Sequence, residues 1–188
     1  MTSPILVEVY DEAQHAQLLD SVKQLYEESF PIEERRPWHR FLELLGEEPR
    51  FILNLIFSVE DHAFAGFLTT WNLGEINYGE HFAMEPSLRG RGWGRMLLRE
   101  LLQLRETKPF VFEVEPPVTP IAERRLHFYQ SLDAAIISTE YIQPSYAPSQ
   151  PSLPLYLMAW NGQGKDADKY LRILYKEIYR VSDEWLNA

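Results

Sequence analysis

The stretch Gly79–Leu102, GEHFAMEPSLRGRGWGRMLLRELL, constrains this chain more than any other. Its first part, His81 to Met84, is apolar and extended, and it runs into a turn at Pro86. Gly90, Gly92 and Gly94 then alternate with Arg89, Arg91, Trp93 and Arg95. Leu97, Leu98, Leu101 and Leu102 follow at helical spacing, with Arg99, Glu100 and Gln103 on the opposite face. The pattern predicts a strand, a glycine-rich turn and an amphipathic helix. A helix N-terminus leaves backbone N–H groups unpaired and carries partial positive charge. Glycine lets that backbone turn tightly and come close to a ligand. Arginines add fixed charge. Together they predict a phosphate site, most simply one for a pyrophosphate.

Two common phosphate motifs are excluded. No Gly-Lys-Ser/Thr closes the loop, so it is not a Walker loop. Arg95 stands where G-x-G-x-x-G needs its last glycine, so it is not a dinucleotide fingerprint. What remains is Arg89-x-x-Gly92-x-Gly94 after a strand. This resembles the acyl-CoA signature of the GNAT N-acyltransferase superfamily, Q/R-x-x-G-x-G/A. The segments "SFPIEERRP", "FEVEPP", "RRLHFYQSL" and "YIQPSY" are similar to those of a bacterial subgroup. The resemblance implies an α/β fold: a central mixed, mostly antiparallel sheet of about seven strands flanked by helices, with a C-terminal helix. It also implies an acyl-CoA-dependent N-acyltransferase. Acetyl would pass from acetyl-CoA, the cosubstrate, to a primary amine by direct attack in a ternary complex. The acceptor is a small-molecule or peptide amine of open identity. The alternative is a non-catalytic acyl-CoA-binding sensor or partner module on the same fold.

Composition agrees. A chain of 188 residues with 45% hydrophobic content suits one domain over 1–188. Its net charge of −10 argues against a general nucleic-acid binder. With no cysteine there is no disulfide, no Cys-ligated zinc and no cysteinyl acyl-enzyme. The five histidines show no ligand-like spacing, so no metal is implied. Neither a signal peptide nor an apolar run of about 20 residues is evident, so the expectation is a cytoplasmic protein that does not enter a membrane, as monomer or homodimer.

Periodicity lays out the rest. Ile5–Tyr10 reads as a strand and 12–29 as a helix stopped by Phe30-Pro31. A charged turn, Glu33–Pro37, precedes a helix bearing Trp38, Phe41, Leu42 and Leu45. Strands are predicted at Phe51–Val59, Ala63–Trp71, Glu75–Met84, Pro109–Val114, Ala135–Ile142 and Leu153–Trp160. A helix is predicted at about 121–132. A last helix at about 166–186 carries Leu171, Leu174, Ile178, Val181 and Trp185 on one stripe, packed on its own domain.

The resemblance assigns roles by position. Two strands splay where the turn begins, here the strand ending at Met84 and the strand 109–114. The backbone of Phe82, Ala83 and Met84 would bond pantetheine, with the Met84 N–H as oxyanion donor. Arg89, Gly90, Arg91, Gly92, Trp93, Gly94 and Arg95 would hold the pyrophosphate. Tyr129 matches a tyrosine that donates to the departing thiolate; a phenol with a pKa of ~10 is protonated at neutral pH. It also shares a helical face with Leu126 and Leu132, as a core aromatic would. Two carboxylates compete as base, Glu80 and Glu113, with Glu80 preferred and water or bulk solvent as the remaining candidate; a desolvated cleft raises a carboxyl pKa toward neutrality. Strand alternation puts Phe82 and Met84 on the side of Glu80, and His81, read as structural, opposite. Arg35 and Arg36 could recognise an acidic acceptor, but read first as a solvated turn paired with Glu33 and Glu34. Arg124 and Arg125 read as a solvated face or a phosphate contact, and Tyr146 as a surface residue or a lid. Relatives carry Gly-Phe where this chain has Asp133-Ala134, which alters the helix end behind Tyr129.

Overall fold

The computed structural model describes residues 5–104 and 108–182. The apolar runs become seven strands: β1 Ile5–Val9, β2 Phe51–Ser58, β3 Phe64–Asn72, β4 Asn77–Met84, β5 Phe110–Val114, β6 Ala135–Gln143 and β7 Leu153–Trp160. They form one sheet in the order β1-β2-β3-β4-β5-β7-β6. Every pairing is antiparallel except β4 with β5. β2 and β3 lie between other strands and are buried almost throughout, which is why they read as near-continuous hydrophobic runs.

Helices cover both faces. On one side lie α1 Glu12–His15, α2 Leu19–Ser29, α3 Trp38–Glu47 and α6 Ala167–Glu177; on the other, α4 Trp93–Leu104 and α5 Pro120–Gln130. The first face buries Tyr26, Phe41, Trp71, Tyr78 and Leu174. The second buries Leu97, Leu98, Leu126, Phe112 and Trp160.

Two helices depart from expectation. The segment 12–29 is not one helix: a 3-10 turn, Ala16–Leu18, separates α1 from α2. His15 causes the break. Its ring accepts the Asp11 N–H at 3.0 Å and meets the Glu8 carboxylate at 3.0 Å, and its backbone leaves the helical region at φ −121°, ψ 4°. The last helix stops at Glu177 rather than near 186. Arg180 takes a left-handed φ of +52°, and the N–H groups of Tyr179 and Val181 turn back onto the carbonyls of Leu174 and Tyr175. Positions 183–186 of the expected helix, with Trp185, lie outside the described residues.

A third departure shapes the site. Thr69 pairs with His81 but Thr70 pairs with Gly79, so Glu80 is the extra residue of a β-bulge. The bulge breaks alternation. Glu80 and His81 both turn toward the face of Tyr26 and Trp71, whereas Phe82 and Met84 join the cluster under α4. The expected grouping of Glu80 with Phe82 and Met84, opposite His81, is therefore corrected.

Candidate active site

β4 and β5 stay paired only from Asn77–Phe110 to Gly79–Phe112, then separate. A cavity of about 590 Å³ fills the gap. The backbone aims into it. Glu85 donates to the Ala65 carbonyl at 2.9 Å, and antiparallel pairing alternates the direction of successive N–H groups. The N–H groups of Phe82 and Met84 therefore point away from β3 and into the gap. The Met84 carbonyl is taken by Arg89 Nε at 2.9 Å, and Arg89 Nη2 reaches Ser29 Oγ at 3.2 Å.

The glycine-rich turn follows Arg89, and Gly90 to Arg95 are not among the residues that line the cavity. Gly90 and Gly92 adopt φ of +77° and +81°, the left-handed region that side chains avoid. The Gly92 carbonyl accepts the Met96 N–H at 3.1 Å, so α4 begins at once. Gly94 lies against the strand: a Cβ there would sit 3.2 Å from the Phe82 ring. Arg91 is exposed. Trp93 packs on the second core. Arg95 is committed to α5, donating to the Ser131 carbonyl at 3.2 Å and Oγ at 2.6 Å.

The two glutamates sit in different environments. Glu80 accepts from Arg36 Nε at 2.9 Å, Trp71 Nε1 at 2.8 Å and the Tyr146 hydroxyl at 2.9 Å. Burial is the largest influence and opposes its charge, but the Arg36 guanidinium, His81 and the Trp71 and Tyr146 donors together outweigh it, and the pKa lies below the ordinary carboxylate range. Arg36 is therefore not solvated; its side chain is 12% exposed and lies over the Tyr146 ring at 4.5 Å. Arg35 is half-buried, with its Nη1 shielded from solvent and without a hydrogen-bond partner among the described residues.

Glu113 has no cationic partner at hydrogen-bond distance among the described residues. Tyr141 donates to its Oε1, and Tyr179 lies 2.9 and 3.1 Å from its two oxygens. Burial pushes its pKa up to about 7, against the pull of the phenols. The Tyr146 and Tyr179 hydroxyls stand 3.3 Å apart, so phenols bridge the two carboxylates.

Tyr129 lines the cavity from α5, its ring 4.6 Å from Phe112 and 6.1 Å from Trp160. Burial raises its pKa to about 12, so it stays protonated at neutral pH. Behind it, Asp133 takes the left-handed conformation at φ +65° in the expected glycine position. Trp160, whose indole donates to the Leu132 carbonyl, supplies aromatic packing under the site. Arg125 pairs with Glu115, and both line the cavity with Arg124. His81 donates from Nε2 to the Glu34 carbonyl at 3.0 Å, edge-on to Tyr26 and Phe30. Burial keeps it neutral, in keeping with a structural residue.

Thus the cavity gathers Phe82, Ala83, Met84, Arg89, Tyr129, Glu80 and Glu113, whereas Arg95 is engaged elsewhere. Sequence reasoning raised Arg36 only as a contact for an acidic acceptor, and it missed Trp71, Tyr141 and Tyr179 as site residues. The one signal for the tyrosines was their repetition in the last third of the chain, where Tyr141 and Tyr146 flank the Pro-rich turn.

A sequence model of the acetyltransferase (GNAT) family matches residues 16–132. No curated protein sequence matches the chain. Among solved structures, a protein described as a GNAT-family acetyltransferase from Bacteroides thetaiotaomicron superposes with a TM-score of 0.85 at 33% identity, over 94% of this chain and 99% of that one. The ribosomal-protein-S18-alanine N-acetyltransferase of Escherichia coli gives 0.56 at 16% identity, over 82% and 92%. A spermidine N-acetyltransferase from Vibrio cholerae, in complex with CoA and spermine, gives 0.58 at 10% identity, over 85% and 96%. The last two share the fold.

Proposed function

The chain belongs to the acetyltransferase (GNAT) family, and from that membership we propose that it is an N-acetyltransferase passing acetyl from acetyl-CoA directly to a primary amine. One observation carries the reading: the β4–β5 gap, with the Met84 N–H directed into it, lies beside a glycine turn that opens a helix.

The residues present fit coenzyme A. The gap offers unpaired strand backbone to an amide-bearing arm, and Gly94 leaves no side chain between α4 and Phe82. The α4 N-terminus, Gly90, Gly92 and Arg91 suit a pyrophosphate. Bound acetyl-CoA supplies the activated acyl carbon. Met84 N–H stabilises negative charge on the acyl oxygen. Tyr129, protonated, donates a proton to the departing sulfur.

We assign the base to Glu113 rather than Glu80. A base needs a pKa near the working pH, and Glu113 at about 7 meets that. Glu80 is held charged by Arg36 and is a poor proton acceptor; it instead anchors Tyr146 over the cavity. The acceptor is a small-molecule or peptide amine, and the net charge of −10 favours cationic ones.

The test is a thermal shift with acetyl-CoA, CoA and ATP, followed by thiol release across a panel of amines. Stabilisation by acetyl-CoA with amine-dependent thiol release is expected. Equal shifts with ATP would overturn the CoA assignment. Stabilisation without turnover on any amine would favour the non-catalytic module.

A further inference from the structure

The family match ends at residue 132, yet the surroundings of Glu113 come largely from beyond it. Tyr141 comes from β6, Tyr146 from the Pro-rich β6–β7 loop and Tyr179 from the segment after α6. Tyr179 is the hub. It lies 2.9 and 3.1 Å from the Glu113 oxygens, 3.3 Å from the hydroxyls of Tyr78 and Tyr146, and it accepts from Gln143 Nε2 at 3.1 Å.

Proton bookkeeping fixes its direction. A phenol has one proton and two lone pairs. Gln143 donates to the Tyr179 oxygen, and the Glu113 carboxylate at 2.9 Å is a nearer and stronger acceptor than the Tyr78 and Tyr146 hydroxyls at 3.3 Å, so the Tyr179 proton goes to Glu113. The left-handed Arg180 directly follows, so the chain is turned at that point to keep the ring inside.

We infer that Tyr179 is a positioning residue for Glu113: its phenol holds the carboxylate in place and, as a donor, favours the charged form that takes up the amine proton. The inference rests on Glu113 serving as base. Tyr179 does not line the cavity. The groups around Glu113 are Tyr78 and Glu80 on β4, Tyr141 on β6, Tyr146 in the loop, and Tyr175 and Tyr179 at the C-terminal end. The two nearest donors are Tyr141 and Tyr179. Tyr141 is sealed in the core at 1% exposure, which leaves Tyr179 as the donor brought in by the C-terminal segment.

The experiment compares Tyr179→Phe, Tyr179→3-fluorotyrosine and Tyr175→Phe in the full chain. Glu113 is titrated directly by infrared difference spectroscopy, its band identified by loss in Glu113→Gln. The pH profile of kcat/KM for the amine is measured alongside. Removing a donor from a charged group raises its pKa by about one unit. In Tyr179→Phe both the Glu113 titration and the acid limb of the profile should move up by about that much, with turnover at pH 7 falling about fivefold. The fluorinated phenol, a stronger donor, should move both downward. Tyr175→Phe removes a hydroxyl that bonds the Ile142 carbonyl but keeps the ring stacked on Tyr141, so it should move both far less than Tyr179→Phe does. Opposite shifts from the two Tyr179 variants cannot come from loss of packing. If the titration moves and the rate limb does not, Tyr179 still holds and tunes Glu113, but Glu113 is not the base and the reading on which the inference rests is overturned. An unmoved titration in both Tyr179 variants, whatever the rate, overturns the inference.

Discussion

The two halves of the cavity are held by different physics. The half facing α4 comes from one continuous stretch, Ala83 to Gly94, and it works through backbone direction, left-handed glycines and a helix end. The half around Glu80 and Glu113 is gathered from residues 36, 71, 78, 141, 146 and 179, and it works through buried polar side chains that satisfy one another. In the first half a change should appear as lost cofactor affinity and little else. In the second a change strands a buried group, so it should appear in stability and in pH dependence.

The sharpest way to break that comparison is Glu113→Gln. A positioned base contributes about 10²–10⁴-fold, so amine-dependent kcat should fall by about that factor while acetyl-CoA affinity, owned by the other half, stays level. Stability should move the other way. The folded-state pKa of about 7 exceeds the ordinary value of 4.5, so the native state binds the extra proton between those values. Wild-type stability therefore falls as pH rises through that window, by about 3 kcal/mol at most. Glutamine has no charge to bury. Thermal melts at pH 5 and 8 should show the variant gaining on wild type only at pH 8. A loss of acetyl-CoA affinity comparable to the loss in kcat would show that the halves are not separable.

Arg36→Met is next. It leaves Glu80 buried without its cation, and breaking such a pair costs about 3–5 kcal/mol. Glu80 has a depressed folded-state pKa, so its contribution is present above the ordinary carboxylate range and is lost as pH falls through the folded value. Denaturant unfolding should show that acid-side slope shrinking in the variant. Replacing both residues by methionine should recover much of the loss. No recovery in the double variant would mean that the pair contributes more than mutual compensation.

The same contrast explains how much of the site could be read in the sequence. The turn was legible because its chemistry is local: glycines at 90, 92 and 94 and the leucines up to 102 specify φ, close approach and helix within one short stretch. The strand segments followed from hydrophobic runs and turn residues, and their gathering into one mixed sheet from the family resemblance. Glu80 and Glu113 were found, but not their relative roles, since those depend on partners far along the chain: Arg36 is 44 residues from Glu80, and Tyr179 is 66 from Glu113. The bulge at Glu80 was invisible for a related reason. A period of two carries no mark of where one residue is inserted, and the bulge shows only in the pairing with Thr69 and Thr70. His15 and Arg180 likewise end helices through tertiary contacts and backbone geometry that helical periodicity does not encode.

Gly92→Val tests the first half by itself. Its φ of +81° strains any β-branched residue, by about 1–3 kcal/mol, although a Cβ would meet nothing within 4 Å. The loop should relax away from that conformation and acetyl-CoA should bind about tenfold or more weakly by calorimetry. Glu113 should titrate as before. Arg91→Ala, in the same loop but exposed, is the smaller change, a loss of charge without a change of backbone. Equal losses from both would mean that charge, not the shape of the turn, holds the ligand.

Asp133→Gly should have the smallest effect and lies outside both halves. Asp133 sits at φ +65° just after α5, and its N–H meets the Gln130 carbonyl at 3.0 Å while the Ala134 N–H meets that of Tyr129 at 3.2 Å. That is a left-handed helix end, which glycine occupies without strain. Aspartate tolerates the region better than most residues, and glycine's larger unfolded-state entropy offsets part of the gain, so the net stabilisation should be about 0.5–1 kcal/mol. For a chain of this size that is a rise in Tm of about 1–4 °C. Activity should not change, since the Tyr129 ring is set by Phe112 at 4.6 Å and Trp160 at 6.1 Å rather than by the helix end. A kcat that rises with the substitution would show the opposite: that the aspartate displaces Tyr129 from the cavity, and that a third region, the end of α5, governs proton delivery to the leaving group.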